Sequence, residues 1–113
     1  QRYGLTVQVV CAPDLPPGSP DSIHALGSAV GEVLNNAVKH GGADKVTVYA
    51  EPTDDKVPSI FVSVKDNGAG FDPATVTEGQ GLRRSVRGRI ADVGGRVEID
   101  GHPGRGAEVR MWV

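Results

Sequence analysis

The residues that decide the fold are Gly31-Glu32-Val33-Leu34-Asn35-Asn36-Ala37-Val38-Lys39-His40, GEVLNNAVKH. Wound as an α-helix, this stretch sets Glu32, Asn36 and His40 four residues apart, with Lys39 three beyond Asn36, so these polar groups share one side. Val30, Val33, Leu34, Ala37 and Val38 fill the opposite arc, which predicts an amphipathic helix laid on an apolar layer. Taken alone, it reads first as an ordinary amphipathic surface helix. Two glycine-rich stretches downstream, DNGAG at 66–70 and GQGL at 79–82, are the loops such a helix would need to hold a nucleotide.

Working outward from that helix, Ser19-Pro20-Asp21 is a start signal: a capping hydroxyl, a proline at the first helical position and an acid near the positive end of the dipole. The helix is expected to run to about His40 and to stop at Gly41–Gly42. Upstream, Leu5–Cys11 alternates as a half-buried strand, with Leu5, Val7 and Val9 on its inner face, and the proline-rich stretch 12–20 is an irregular connection. Downstream, Lys45–Ala50 and Ile60–Lys65 alternate as strands, burying Val46, Val48 and Ala50 on one and Ile60, Val62 and Val64 on the other. They are joined by a solvated hairpin-type loop at Pro52–Pro58. Leu82, Val86, Ile90 and Val93 are spaced for the buried side of a second helix, with Arg83, Arg84, Arg87 and Arg89 largely outside and Gly94–Gly95 as its stop. Val97 and Ile99, then Ala107, Val109, Met111 and Val113, close the chain as a hairpin around Gly101–Gly106.

The order strand, helix, strand, strand, helix, strand, strand lacks a crossover helix between consecutive strands at two places, which excludes a doubly wound parallel sheet. It predicts an α+β fold: a two-layer α/β sandwich whose mixed, mostly antiparallel sheet carries helices on one face. The 113 residues make one domain, 1–113, and its abrupt opening on a strand without an initiating Met reads as an excision from the C-terminal end of a longer protein.

Composition bounds the partners. The chain is 38% hydrophobic and 23% charged, with a net charge of −2, which argues against nucleic-acid binding driven by overall charge. Seven of the eight arginines follow Gly81, so a local basic patch remains open. No apolar run is long enough to cross a membrane, and none is preceded by a signal-like basic segment, so no membrane contact by this domain is expected. The single cysteine, Cys11, excludes an intrachain disulfide, fits a reducing compartment and is expected to be a small buried hydrophobe.

The polar residues suggest their own chemistry. Asp66 ends an apolar strand beside Asn67–Gly68, where a carboxylate can accept a hydrogen bond from an exocyclic amine such as that of adenine. Asn-Gly is also a strong signal for a plain type I′ turn. Gly68 and Gly70 allow close backbone approach. Gly79 and Gly81 are expected to precede the second helix and present unpaired N–H groups to phosphate, although a flexible loop joined to a cap reads the same. The stretch 69–78 is expected to be a lid that a nucleotide orders. Asn36 offers a carbonyl oxygen suited to Mg²⁺, Glu32 could polarise a nucleophile or order a metal-bound water, and Lys39 could neutralise phosphate. His40 could bond phosphate or ribose, or merely complement the helix dipole. His24 and His102 read as surface residues.

Taken together, EVLNNAVKH, DNGAG, GQGL and GRGAEV resemble the N, G1 and G2 boxes and closing motif of the GHKL, or Bergerat, ATP-binding fold. Within it the chain resembles the catalytic domain of two-component sensor histidine kinases, and its short lid leans towards the branch that pairs with LuxR-type response regulators. The resemblance implies adenine contact by Asp66, Mg²⁺ ligation by Asn36, and a catalytic role for Glu32. It also implies nucleotide contacts by Leu82 in the GQGL box and by Gly106 and Ala107 in the closing motif. The family commonly has Thr or Ser where Ala107 stands, so one hydrogen bond, worth about 1 kcal/mol, is missing. The implied cofactors are ATP and Mg²⁺. The implied partners are a dimerisation and histidine phosphoacceptor domain of the same kinase and a downstream response regulator, in the cytoplasm. With no histidine in anything like a dimerisation helix, the fragment is expected not to autophosphorylate. An anti-sigma-factor serine kinase and a nucleotide-sensing module without phosphotransfer are the alternatives.

Overall fold

In the computed structural model the described residues are 6–39, 44–56, 59–68, 78–102 and 106–113. They form β1 (Thr6–Cys11), α1 (Pro20–Lys39), β2 (Lys45–Pro52), β3 (Ile60–Asp66), α2 (Glu78–Ala91), β4 (Arg96–His102) and β5 (Gly106–Trp112). The start of α1 is the one its sequence signals: the Ser19 hydroxyl accepts from the Ser22 N–H at 3.1 Å, Pro20 takes the first position and Asp21 lies in the first turn.

The five strands make one sheet in the order β1-β2-β3-β5-β4. Only β1–β2 is parallel; β2–β3, β3–β5 and β4–β5 are antiparallel. Both helices pack on one face, so the predicted two-layer α+β sandwich is borne out. Ala25, Ala29, Val33 and Ala37, each one turn after the last, bring α1 down on the sheet, and small residues there let the backbone approach closely. Val86 and Ile90 do the same for α2, against Val97, Val109 and Met111. The Arg87 guanidinium adds a tie from α2 to β4, donating to the Val97 carbonyl at 3.0 Å.

The opposite face of the sheet is polar. There Arg110 on β5 pairs with Glu98, Asp100 and Glu108, and the Ser63 hydroxyl donates to Glu108 at 2.9 Å. These acids, with the Asp100 hydrogen bond as the largest cause, raise the guanidinium pKa above its ordinary value.

Strand β1 departs from expectation. Val9 is 61% exposed and Cys11 is exposed rather than buried. The parallel register sets Val7, Val9 and Cys11 beside Val46, Val48 and Ala50, on the correct face. The strand is, however, the sheet edge, and an apolar groove lined by Ile23, Val30, Val48 and Ile60 opens between α1 and β2, so the helix layer stops short of it. Alternation reported which side chains share a face, not whether anything covers that face.

Where α2 turns into β4 the backbone is tight. The Gly95 N–H donates to the Ile90 carbonyl at 2.9 Å, and a Cβ on Gly95 would overlap the Trp112 carbonyl oxygen and the Ile90 side chain. Gly95→Ala is therefore expected to lower stability by about 2–4 kcal/mol, the range of overpacking against fixed backbone. Urea unfolding followed by Trp112 fluorescence checks this.

Candidate functional site

The site is assembled at one end of the sheet, where β3 stops. Asp66 is its last residue and is buried. Its Oδ1 accepts from the Gly68 N–H at 2.8 Å, which folds the chain back over the carboxylate and buries Gly68 too. Among the described residues nothing donates to Oδ2. A buried carboxylate oxygen can accept a further hydrogen bond. Among the described residues the element after Gly68 is α2, and the stretch directly after the turn expected at Asn67–Gly68, 69–77, lies outside them.

Asn67 does a job its sequence context did not reveal. Its side-chain oxygen accepts from the Asp44 and Lys45 N–H groups at 3.1 and 2.9 Å, while its amide donates to the Asp44 carboxylate at 2.5 Å. The Asn67 N–H donates to the Lys45 carbonyl at 3.1 Å. These bonds clamp the start of β2 to the end of β3. Because Lys45 follows α1 closely in sequence, they also bring the C-terminal end of α1 to the Asp66 end of the sheet.

Gly106 comes to the same place from β5. It has φ of +91°, and a Cβ there would overlap the Asp66 carbonyl oxygen. Glycine at 106 is thus required by backbone contact with Asp66, a reason independent of any ligand. Ala107 follows it, paired with Gly101 on β4.

On α1, Glu32 and Asn36 lie one turn apart on the side facing α2, both half-buried. The Glu32 carboxylate accepts from Arg89 on α2 at 3.4 Å, and Arg89 also reaches the Ser85 hydroxyl at 3.4 Å. This pairing across 57 residues was not legible in the sequence, which placed Arg89 simply outside. The Asn36 carboxamide has no hydrogen-bond partner among the described residues, and its neighbour Asn35 is exposed. Lys39 is the last residue of α1. His40, Gly70 and the expected lid over 69–78 lie outside the described residues, except Glu78, which is the first residue of α2 and not part of a loop.

One expectation is corrected. Gly79 and Gly81 do not precede the second helix; α2 begins at Glu78, so both glycines and Leu82 lie inside it. Glycine's cost within a helix, about 1 kcal/mol, argued for a later start. In the first turn, however, the leading N–H groups have no intrahelical acceptor, so Gly79 still lies where backbone donors are available to an anion, whereas Gly81 is where the helix's own ladder begins to take them up. The antiparallel course of α2 towards Arg96 leaves that first turn at the Asp66 end.

A buried carboxylate and a glycine-enforced backbone contact thus lie together at one end of a two-layer sandwich, and a polar face of α1 is turned towards α2. The chain belongs to the histidine kinase-, DNA gyrase B- and HSP90-like ATPase family, whose model matches residues 21–113. As such it is an ATP-binding domain.

Among curated relatives, it is 34% identical over 94 residues, 79% of this chain, to an uncharacterized sensor-like histidine kinase of Chloroflexus aurantiacus. It is 29% identical over 89 residues, 74% of this chain, to the sensor histidine kinase YdfH of Bacillus subtilis. The chain spans only 15% and 21% of those two proteins. The histidine kinase domain of the blue-light activated histidine kinase EL346 from Erythrobacter litoralis superposes with a TM-score of 0.69 at 22% identity, covering 95% of this chain and 54% of that one, which shows the shared fold. Among the described residues no helix is long and apolar enough to cross a membrane.

Removing the clamp tests the local account. Asn67→Ala should lower stability by about 1–3 kcal/mol, since the bonds are solvent-exposed and each contributes roughly 0.5–1.5 kcal/mol. Hydrogen exchange should quicken at the Asp44 and Lys45 amides more than at the centre of β3.

Proposed function

We propose that this domain binds ATP with Mg²⁺ at the Asp66 end of the sheet and presents the γ-phosphoryl group to a histidine on a separate dimerisation domain of a sensor histidine kinase. The observation that carries the reading is the buried Asp66 carboxylate with one oxygen committed to the Gly68 N–H and the other unmatched among the described residues. It fits a base bearing an exocyclic amine and disfavours guanine, whose matching position presents a carbonyl.

The donor set suits Mg²⁺, which takes oxygen ligands and leaves most positions to water and phosphate. Among the described residues no group of three or more His, Cys, Asp or Glu forms a cage. The single unpartnered Asn36 carboxamide is the kind of lone protein ligand that such a metal–nucleotide complex uses. When bound, Mg²⁺ would neutralise triphosphate charge. The chain's own part is to hold the base at Asp66, offer the first-turn N–H groups of α2 to phosphate, and keep Glu32 one turn from Asn36 as the candidate base. Positioning and electrostatics, rather than covalent chemistry, carry phosphoryl transfer. The phosphoacceptor domain and a response regulator, in the cytoplasm, complete the proposed pathway. The curated relatives are named as sensor histidine kinases, which favours this over a serine kinase.

The Glu32–Arg89 pair supports a second reading, a nucleotide-sensing module without transfer, because the candidate base is already engaged by a cation. Glu32→Gln in the full-length protein separates the two: loss of phosphotransfer with nucleotide binding retained supports the kinase, and unchanged signalling supports the sensor.

Titration with a fluorescent ATP analogue tests the site. Asp66→Asn keeps an acceptor for Gly68 but turns a donor towards the base, and should weaken ATP binding at least about tenfold, the scale of a hydrogen bond to a charged group, while narrowing the preference over GTP. Asn36→Ala should remove most of the Mg²⁺-dependent gain in affinity and leave metal-free binding unchanged. Incubated with γ-labelled ATP, the isolated domain should acquire no label of its own.

A further inference from the structure

The sheet has two edges, β1 and β4, and the chain treats them differently. Strand β4 carries Arg96, Glu98 and Asp100, with Arg96 stacked 4.1 Å from the Trp112 ring centroid and the two acids paired with Arg110. Charges along an edge discourage a further strand from adding to it. Strand β1, Thr-Val-Gln-Val-Val-Cys, has no charged residue and no proline, and its one-to-one register with β2 contains no bulge. None of the usual protective devices is present on it.

The direction of each backbone group on β1 follows from its two ends. The Thr6 and Ala12 N–H groups donate to the Asp44 and Ala50 carbonyls at 2.8 and 2.9 Å, so both face β2. A residue's N–H and C=O leave a strand on the same side, and the sides alternate. Gln8 and Val10 therefore also face β2, while Val7, Val9 and Cys11 present their N–H and C=O groups away from the sheet. The same three residues put their side chains on the helix-bearing face, in line with Val46, Val48 and Ala50, where Val9 and Cys11 are exposed because the helix layer stops short. Outward backbone groups and uncovered apolar side chains thus belong to the same positions.

We propose that β1 pairs with β1 of a second copy of this chain, antiparallel and centred on Val9, so that two sheets become one. A two-fold axis perpendicular to the sheet reverses the strand and keeps its faces, which sets Val9 opposite Val9 and Val7 opposite Cys11 of the second copy. Every such pair falls on positions whose N–H and C=O point outward, giving about six hydrogen bonds at two per facing pair. The apolar set Val7, Val9 and Cys11 maps onto itself about Val9, and no like charges meet. That self-complementarity is what favours a second copy over an unrelated strand. Because the β4 edge is charged, the assembly closes at two copies instead of growing. Asp66 lies on β3, two strands in from this edge, so the proposal stands independently of the nucleotide reading.

One strand pair is a small interface, so the association is expected to be weak. Sedimentation equilibrium of the chain, from about 10 μM to about 1 mM, should show a monomer–dimer equilibrium with a Kd on the order of 100 μM. Val9→Lys, at an exposed position whose backbone groups face away from β2, should raise the Kd at least about tenfold and leave the urea midpoint of a dilute sample unchanged. Cross-linking reads the register. The Cα atoms of two facing Val9 residues lie about 5.5 Å apart, within disulfide reach, whereas two Cys11 residues lie about 13 Å apart at roughly 3.3 Å per residue, beyond it. Oxidation should therefore link the chain carrying Val9→Cys with Cys11→Ser and leave the unaltered chain unlinked. A chain that stays monomeric to about 1 mM, growth beyond two copies, or linkage of the unaltered chain through Cys11 overturns the proposal. So does a dimer kept in Val9→Lys and lost in Ile23→Asp, since the groove beside β1, not the strand, would then make the contact.

Discussion

The backbone contact between Gly106 and Asp66 is the constraint on which the site depends. No side chain fits between β5 and the end of β3 there, so the carbonyl of Asp66 is fixed against one neighbour while its N-terminal flank is held in the β2 ladder. The Asn67 clamp fixes the other side. With the backbone held on both sides and Gly68 bonded to Oδ1, the carboxylate is positioned by contacts within the chain itself. Under the proposed function, such preorganisation would lower the ordering cost of binding.

The same arrangement explains why the two helices are built as they are. Alanines at each turn of α1 lower it onto the sheet, and this sets Glu32 and Asn36 on the flank towards α2 instead of in solvent. The second helix is arginine-rich, and among its described side chains Val86 and Ile90 are the ones buried in the core. Arg87 to the Val97 carbonyl and Arg89 to Glu32 supplement that packing. Exposed pairs of this kind contribute little each, so they align α2 more than they stabilise it.

Much of this was legible beforehand, and for identifiable reasons. The Ser19-Pro20-Asp21 start of α1, the apolar stripe from Val30 onwards and the alternation of Ile60, Val62 and Val64 are local signals whose meaning does not depend on distant residues. The lack of crossover helices between consecutive strands restricted the sheet to a mostly antiparallel one. What escaped was non-local. That Cys11 and Val9 lie open depends on how far α1 extends over the sheet. The start of α2 at Glu78 overrides glycine's propensity. The Asn67 clamp and the Glu32–Arg89 pair join residues 22, 23 and 57 positions apart, and no spacing rule reaches across such distances. The family was legible because its motifs occur in a recognisable order, while the contacts around Asp66 had to be seen.

The most direct test of the central claim is amide chemical-shift mapping of the isolated domain during titration with ATP and Mg²⁺. The account predicts saturable shifts at Asp66, Asn67 and Gly68, at Gly106 and Ala107, near Asn36 and in the first turn of α2, with Thr53 and Trp112 unmoved. Saturable shifts confined to the apolar groove around Ile23 and Val48, with the Asp66–Gly68 amides unchanged, would contradict it.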